Sequence, residues 1–278
     1  MNNCDTCGAV LLPSGTQCHQ CESPIGFPNV RKAVSEKSKL LERYNSAQNS
    51  IILRDIVDVA INFEQYVEHE AKLILAKPVI EVLALTNPNK LMTTYHKEIR
   101  ANARTAEDNQ YDQNRDGFES IINPQYHENI QYAALSLTDK GLTYYGGVHL
   151  TLNLNKVKHR TTLFEENSYN FVVKHKLTGV DVAPEGYRAT WEDKTKLAVV
   201  KCNYKLNKNT SENMFSTIII NDDPANPEFI EAHIYGNLGA ATVDNMLLGN
   251  SACEDDVLMF KASKNAFRKL GINIQIES

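Results

Sequence analysis

The chain has 278 residues, 42% of them apolar, enough for one large core or two modest ones. A formal net charge of −5 gives no global signature of a nucleic-acid or membrane binder. There is no basic-then-apolar leader and no apolar run of bilayer length, so a soluble, cytoplasmic protein without a membrane partner is expected. The charge is unevenly spread. Residues 141–215 carry 11 Lys/Arg against 7 Asp/Glu, whereas residues 216–260 carry 8 Asp/Glu and no Lys/Arg. Such asymmetry builds either a cleft with opposed walls or two solvated faces.

Four of the 6 cysteines fall within the first 21 residues, as Cys4-Asp5-Thr6-Cys7-Gly8 and Cys18-His19-Gln20-Cys21. Two thiolates two residues apart grip one ion from a tight knuckle. Two knuckles supply a sulfur tetrahedron, the geometry zinc prefers in closed structural sites. Gly8 permits the turn behind the first pair, and Pro13, Ser14 and Gly15 turn the chain between the arms. Redox-active pairs are the competing reading, and one shared ion explains the spacing better. His19 is a substitute ligand for Cys18. Residues 1–27 resemble the zinc ribbon family, and four protein ligands leave no coordination position for substrate.

The Pro- and Gly-containing stretch 23–28 is a connector, and residues 28–90 read as a helical adaptor. Its first part is charged. Its second repeats Ile51, Ile52, Ile56, Val59, Ala60, Phe63, Tyr66, Val67, Leu73 and Ile74 at three-to-four spacing, an amphipathic helix that Pro78 ends. Residues 91–104 also read as helical. Residues 105–123 are polar and turn-rich. Asp112, Asn114, Asp116 and Gly117 match the start of a Ca2+ loop, but the twelfth position is Asn123, so the bidentate ligand is missing and a polar loop is expected.

The second half predicts strands at 129–137, 144–154, 160–164, 194–204 and 216–220. Helices first and short strands after indicate an α+β fold rather than a parallel βαβ array. The last strand, Phe229-Ile230-Glu231-Ala232-His233-Ile234-Tyr235, alternates with period two and stops at Gly236. Glu231 and His233 therefore share a face. That face is either a site wall or the solvated side of an edge strand.

From residue 129 onward the order of pieces resembles the ADP-ribosyltransferase superfamily, closest to bacterial toxin-like members. The motifs are Tyr132-Ala133-Ala134-Leu135, Tyr145-Gly146-Gly147-Val148-His149-Leu150, Arg160-Thr161-Thr162-Leu163-Phe164 through Ser168, and Glu231-Ala232-His233-Ile234-Tyr235-Gly236. The resemblance covers half the chain and rests on their order. It implies a split, strongly bent β-sandwich over residues 91–278 with NAD in the central cleft. It further implies that Glu231 is the catalytic carboxylate, stabilising the cationic sugar left as nicotinamide departs. Glu228 is a backup. His233 takes the place of a residue that orients the acceptor, Thr161 and Thr162 occupy a region whose hydroxyls hold the carboxylate, and Tyr145 could stack on nicotinamide. Arg104, or secondarily Arg100, would hold NAD through its pyrophosphate or ribose.

The expected activity is ADP-ribosyl transfer from NAD by a toxin or antiphage effector. The acceptor is RNA, DNA or a protein, and an antitoxin or chaperone could bind the helical block or the acidic 216–260 region. A non-catalytic adaptor with a zinc ribbon that binds nucleic acid or protein is the alternative. Cys202 and Cys253 read as buried hydrophobes.

Overall fold

The computed structural model describes residues 3–103, 105, 110–223, 227–250 and 252–277. After the cysteine-rich head come α1 (Pro28–Ser35), α2 (Lys37–Leu53) and α3 (Val57–Glu70). Ala60, Phe63 and Val67 form the buried stripe of α3, at the spacing an amphipathic helix requires. The helix stops short of Leu73 and Ile74, because Lys72–Lys77 is a strand, β1, buried along its length. A run of four apolar residues, Leu73 to Ala76, suits a strand covered on both faces. Then follow α4 (Val79–Leu83), β2 (Leu91–Met92), α5 (Tyr95–Arg100) and α6 (Gln110–Ile122).

The chain continues through β3 (Ile130–Ser136), β4 (Val148–Leu152), α7 (Leu154–Val157), β5 (Thr161–Phe164), α8 (Ser168–His175) and β6 (Arg188–Thr190). It ends with α9 (Lys194–Cys202), α10 (Phe215–Ile219), β7 (Glu231–Tyr235), β8 (Leu238–Gly239), β9 (Val243–Leu248), α11 (Glu254–Lys269) and β10 (Asn273–Ile276). The fold is mixed α+β, with one large mixed sheet in the order β10-β9-β4-β1-β3-β7-β5-β6 and a two-stranded β2–β8 ribbon. Neighbours in the large sheet are antiparallel except β10 and β9.

The segment 28–90 is built into this sheet. Its strand β1 lies between β4 and β3, and α2 and α3 pack on α9. Phe63 and Tyr66 meet Phe215 of α10 at 5.2 and 5.6 Å between ring centroids. The stretch thus packs on the rest of the chain, and its last part is a strand rather than a continuation of the helix.

Residues 194–202 and 215–219 are helices, where strands were expected. In α9 the buried positions are Lys194, Leu197, Ala198, Val199, Lys201 and Cys202, and in α10 Phe215, Ile218 and Ile219. Three-to-four spacing dominates both sets, and it outweighs the β-branched residues that suggested a strand. Residues 110–122 are likewise a helix rather than a polar loop, with Glu119 and Ile122 buried three apart on its inner side.

The sheet divides in the middle. β1 pairs with β3 only at Lys72–Ile74, against Ala134–Ser136. From Ile74 to Lys77 β1 keeps β4 as its partner, while β3 from Ile130 to Ala134 follows β7. Leaving one another beyond that short ladder, β1 and β3 open a cleft between the two halves of the sheet.

Candidate functional site

The cysteine head is the more local of two sites. Gly8 N and Glu22 N each donate to the carbonyl of the first cysteine of their knuckle, Cys4 and Cys18, at 2.8 and 2.9 Å. Both residues have positive φ, 74° at Gly8 and 59° at Glu22, so the two arms turn alike. Cys4 and Cys21 Sγ lie 3.7 Å apart, and Cys7 and Cys18 Sγ 3.6 Å. Sulfurs around a tetrahedral ion with bonds near 2.3 Å stand roughly 3.8 Å apart. All four are close enough to hold one metal ion. The Ser23 hydroxyl lies 3.4 Å from Cys4 Sγ and 3.1 Å from Cys21 Sγ, and this contact lowers the pKa of both thiols, Cys4 to about 6. Arg31 of α1 ties the head down by donating to the carbonyls of Leu12, Pro13, Gly15 and Gly26.

The second site is the cleft. It encloses about 450 Å³ and is lined by Lys77, Tyr95, Arg115, Tyr132, Tyr145 and Glu231, among others. That volume lies within the range of small-molecule and cofactor pockets. Glu231 opens β7, paired with Ala134 of β3 and Phe164 of β5, and is 4% exposed.

The Glu231 carboxylate sits at the start of α8. Ser168 donates to Oε2 from its hydroxyl at 2.5 Å and from its backbone N–H at 3.1 Å, and Asn167 Nδ2 donates to Oε1 at 3.2 Å. Asn167 is also the N-cap of α8, its Oδ1 accepting from the N–H groups of Tyr169 and Asn170. One asparagine thus starts the helix with its Oδ1 and holds the carboxylate with its Nδ2.

His233 Nε2 completes the set, 2.9 Å from Oε2. Its protonation pattern follows from a residue far along the chain. Arg188 has only donors, and its Nη1 meets Asn123 Oδ1 at 3.2 Å. Asn123 therefore turns its amide nitrogen to His233 Nδ1, at 3.2 Å, which must accept. The proton lies on Nε2, and His233 donates it to Glu231. Arg188 is 2% exposed; its Nη2 donates to the Ile122 carbonyl at 2.5 Å, and Glu36 of the α1–α2 junction lies 3.2 Å from its Nε. Phe164 stacks on the His233 ring at 5.5 Å, with Tyr132 edge-on at 5.0 Å.

His233 is fully buried and in contact with Glu231. The hydroxyls of Thr161 and Thr162 are directed elsewhere. Thr161 donates to Val157 O at 2.8 Å, and Thr162 accepts from Asn29 Nδ2 at 3.5 Å. The hydroxyl on the carboxylate is that of Ser168, four residues beyond β5, where the chain turns back toward β7. Tyr145 does line the cleft, its ring 4.3 Å from Tyr144. Gly146 behind it has φ 145°, and a Cβ there would lie 2.1 Å from the Lys77 backbone, so only glycine lets this turn close on β1. Loss of water on the cleft side and the charge of Glu231 push the Tyr145 phenol up to about 12.

Arg104 lies outside the described residues. Arg100 is exposed and paired with Glu128. Among the described residues the arginine on the cleft is Arg115 of α6, which donates from Nε to Glu119 Oε1 at 2.5 Å and lies over the Tyr95 ring at 4.4 Å. Burial disfavours its charge, but the Glu119 carboxylate more than offsets this and holds the guanidinium above its usual range. Glu228 is held outside this network, by Lys205 at 2.7 Å and Tyr204 at 2.8 Å. Of the basic stretch, Lys174, Lys194, Lys196, Lys205 and Lys208 are matched to acidic side chains. Lys156 and Lys158 are exposed beside His159, whose ring lies 5.5 Å from Phe27 at the exit of the cysteine head.

Compared with protein-family models and with curated proteins, the chain matches none. No helix among the described residues is long and apolar enough to cross a membrane.

Proposed function

We propose that the chain is an NAD-dependent ADP-ribosyltransferase of the bacterial toxin or antiphage-effector kind, with structural zinc in its cysteine head. The observation that carries the reading is the placement of Glu231. A carboxylate with three protein partners forms the wall of a cleft of about 450 Å³ at the point where β1 and β3 part. Buried acids are costly unless held in this way, and a cleft between sheet halves is where a split sandwich would seat a dinucleotide.

NAD supplies a ribose carbon that turns cationic as nicotinamide leaves. Glu231 stabilises that charge and either holds a ribose hydroxyl or accepts the proton of the incoming nucleophile. Its Oε1, with Asn167 as partner, keeps lone-pair capacity for this. Ser168 and His233 fix the carboxylate, and Tyr145 offers a face for nicotinamide. Arg115 takes the role expected of Arg104, facing the pyrophosphate or ribose. Lys156 and Lys158, next to the head, mark the side on which an RNA or DNA backbone would lie. A protein acceptor would use the same cleft mouth, and an antitoxin or chaperone would act by covering it.

The alternative, a non-catalytic adaptor, draws on the same hydrogen bonds, which would also suit a structural carboxylate. The test uses NAD labelled in its adenylate half, offered with RNA, DNA or cell protein. Label should enter an acceptor with the native chain and not with Glu231→Ala of unchanged circular dichroism. Labelling that survives the substitution moves the chemistry elsewhere, and no labelling of any acceptor favours the adaptor.

A further inference from the structure

A second cluster of side chains able to hold a metal lies beside the cleft, on elements that contribute no ligand to the cysteine head. His96 comes from α5, Asp116 from α6, and His127 from the turn before β3. One donor atom from each lies within 4.8 Å of the other two. Asp116 Oδ1 is 3.0 Å from His127 Nε2 and 3.7 Å from His96 Nδ1. Donors around a tetrahedral ion with bonds near 2.0–2.1 Å stand roughly 3.3 Å apart, and these two separations bracket that value.

The rear of the cluster is what points to a cation. His96 Nε2 lies 2.7 Å from Glu119 Oε2, and a carboxylate can only accept, so the imidazole proton belongs on Nε2. Nδ1 then faces the Asp116 carboxylate 3.7 Å away, and a proton or a metal ion between them satisfies both. A carboxylate behind a ligating imidazole is also the arrangement that orients metal-bound histidines and raises their basicity. His96 is 8% exposed, which fixes its ring, while Asp116 is exposed and leaves an entry route.

We infer that His96, Asp116 and His127 bind a divalent transition-metal ion, zinc by donor set, through Nδ1, Oδ1 and Nε2. Three protein ligands leave at least one position for water or a substrate oxygen, unlike the four-sulfur head. The ion is joined to the cleft through Glu119, whose other oxygen accepts from Arg115 Nε. Occupancy would thereby fix α6 against α5 and hold the Arg115 guanidinium on the cleft wall. The inference stands whether or not the cleft takes NAD.

The test is Co2+ titration of full-length protein whose cysteine head has first been loaded with Zn2+. The wild type should take up one further ion and develop visible d–d bands without the near-ultraviolet charge-transfer absorption of cobalt thiolate. Asp116→Asn and His127→Gln should abolish this second event while retaining the zinc of the head. Asp116 is exposed, so its substitution leaves the fold intact. Glu119→Gln should keep the three ligands and weaken the second ion by ~10–100-fold. The inference is overturned if the wild type shows no second event at saturating Co2+, the result expected if a proton bridges the pair. It is equally overturned if Asp116→Asn binds the second ion as tightly as the wild type.

Discussion

The cysteine head and the Glu231 cleft reach order by opposite routes. The four sulfurs come from residues 4–21, placed by two similar turns, and Arg31 is the clamp on the neighbouring loop. The groups around Glu231 come from the residue after α6, the start of α8, β6 and β7, with separations of 63 residues to Ser168 and 110 from Asn123 to His233. Only the assembled sheet brings them together. A site built from one short segment depends on its ion, whereas a site built from distant segments depends on the whole fold. Damage to the two should therefore be separable.

The strongest test of that separation is Cys7→Ser. Structural zinc is worth on the order of 10 kcal/mol to small metal-dependent modules. The variant should lose the metal of the head and the protease resistance of residues 1–27, measured by metal analysis and limited proteolysis. The main thermal transition of the sheet should stay in place. A collapse of that transition would mean that the head supports the sheet as well.

Next comes Arg188→Leu. It leaves Glu36 without its buried cation and takes a donor from Asn123 and from the Ile122 carbonyl. Breaking a buried pair from one side costs about 3–5 kcal/mol, which urea unfolding should register, with metal in the head unchanged. Ser168→Ala removes one charge-assisted hydrogen bond from Glu231. A loss of about 1.5–3 kcal/mol is expected, read as tenfold or more in nicotinamide release. Tyr145→Ala should be smallest, about 0.5–1.5 kcal/mol from lost ring contact, seen as a higher KM for NAD with kcat little changed.

Legibility in the sequence followed the same division. The cysteine spacing is a local pattern and is readable without the fold. So is the alternation of β7, which put Glu231 and His233 on one face, where they touch. The strands at 130–136, 148–152 and 161–164 were also visible as short alternating or β-branched runs. Arg188 and Asn123 could not be read, because neither has a local signature. Their importance arises from a chain of donors and acceptors that crosses the sheet. Arg115 and Glu119 were hidden by Asp112, Asn114, Asp116 and Gly117, a turn-like composition that nonetheless lies in a helix. The i, i+4 spacing of Arg115 and Glu119 was the available signal. β1 was masked because its apolar run continues the stripe of α3, and α9 because its β-branched residues resemble a strand.

The central claim is that the Glu231 carboxylate acts on a sugar bound in the cleft. Nicotinamide released from NAD by purified full-length protein, native against Glu231→Gln, tests it most directly, since the amide keeps the shape and removes the charge. The account predicts steady release by the native chain and a fall of ~100–1000-fold in the variant, with thermal stability within a few degrees. Equal release by the two proteins would contradict it.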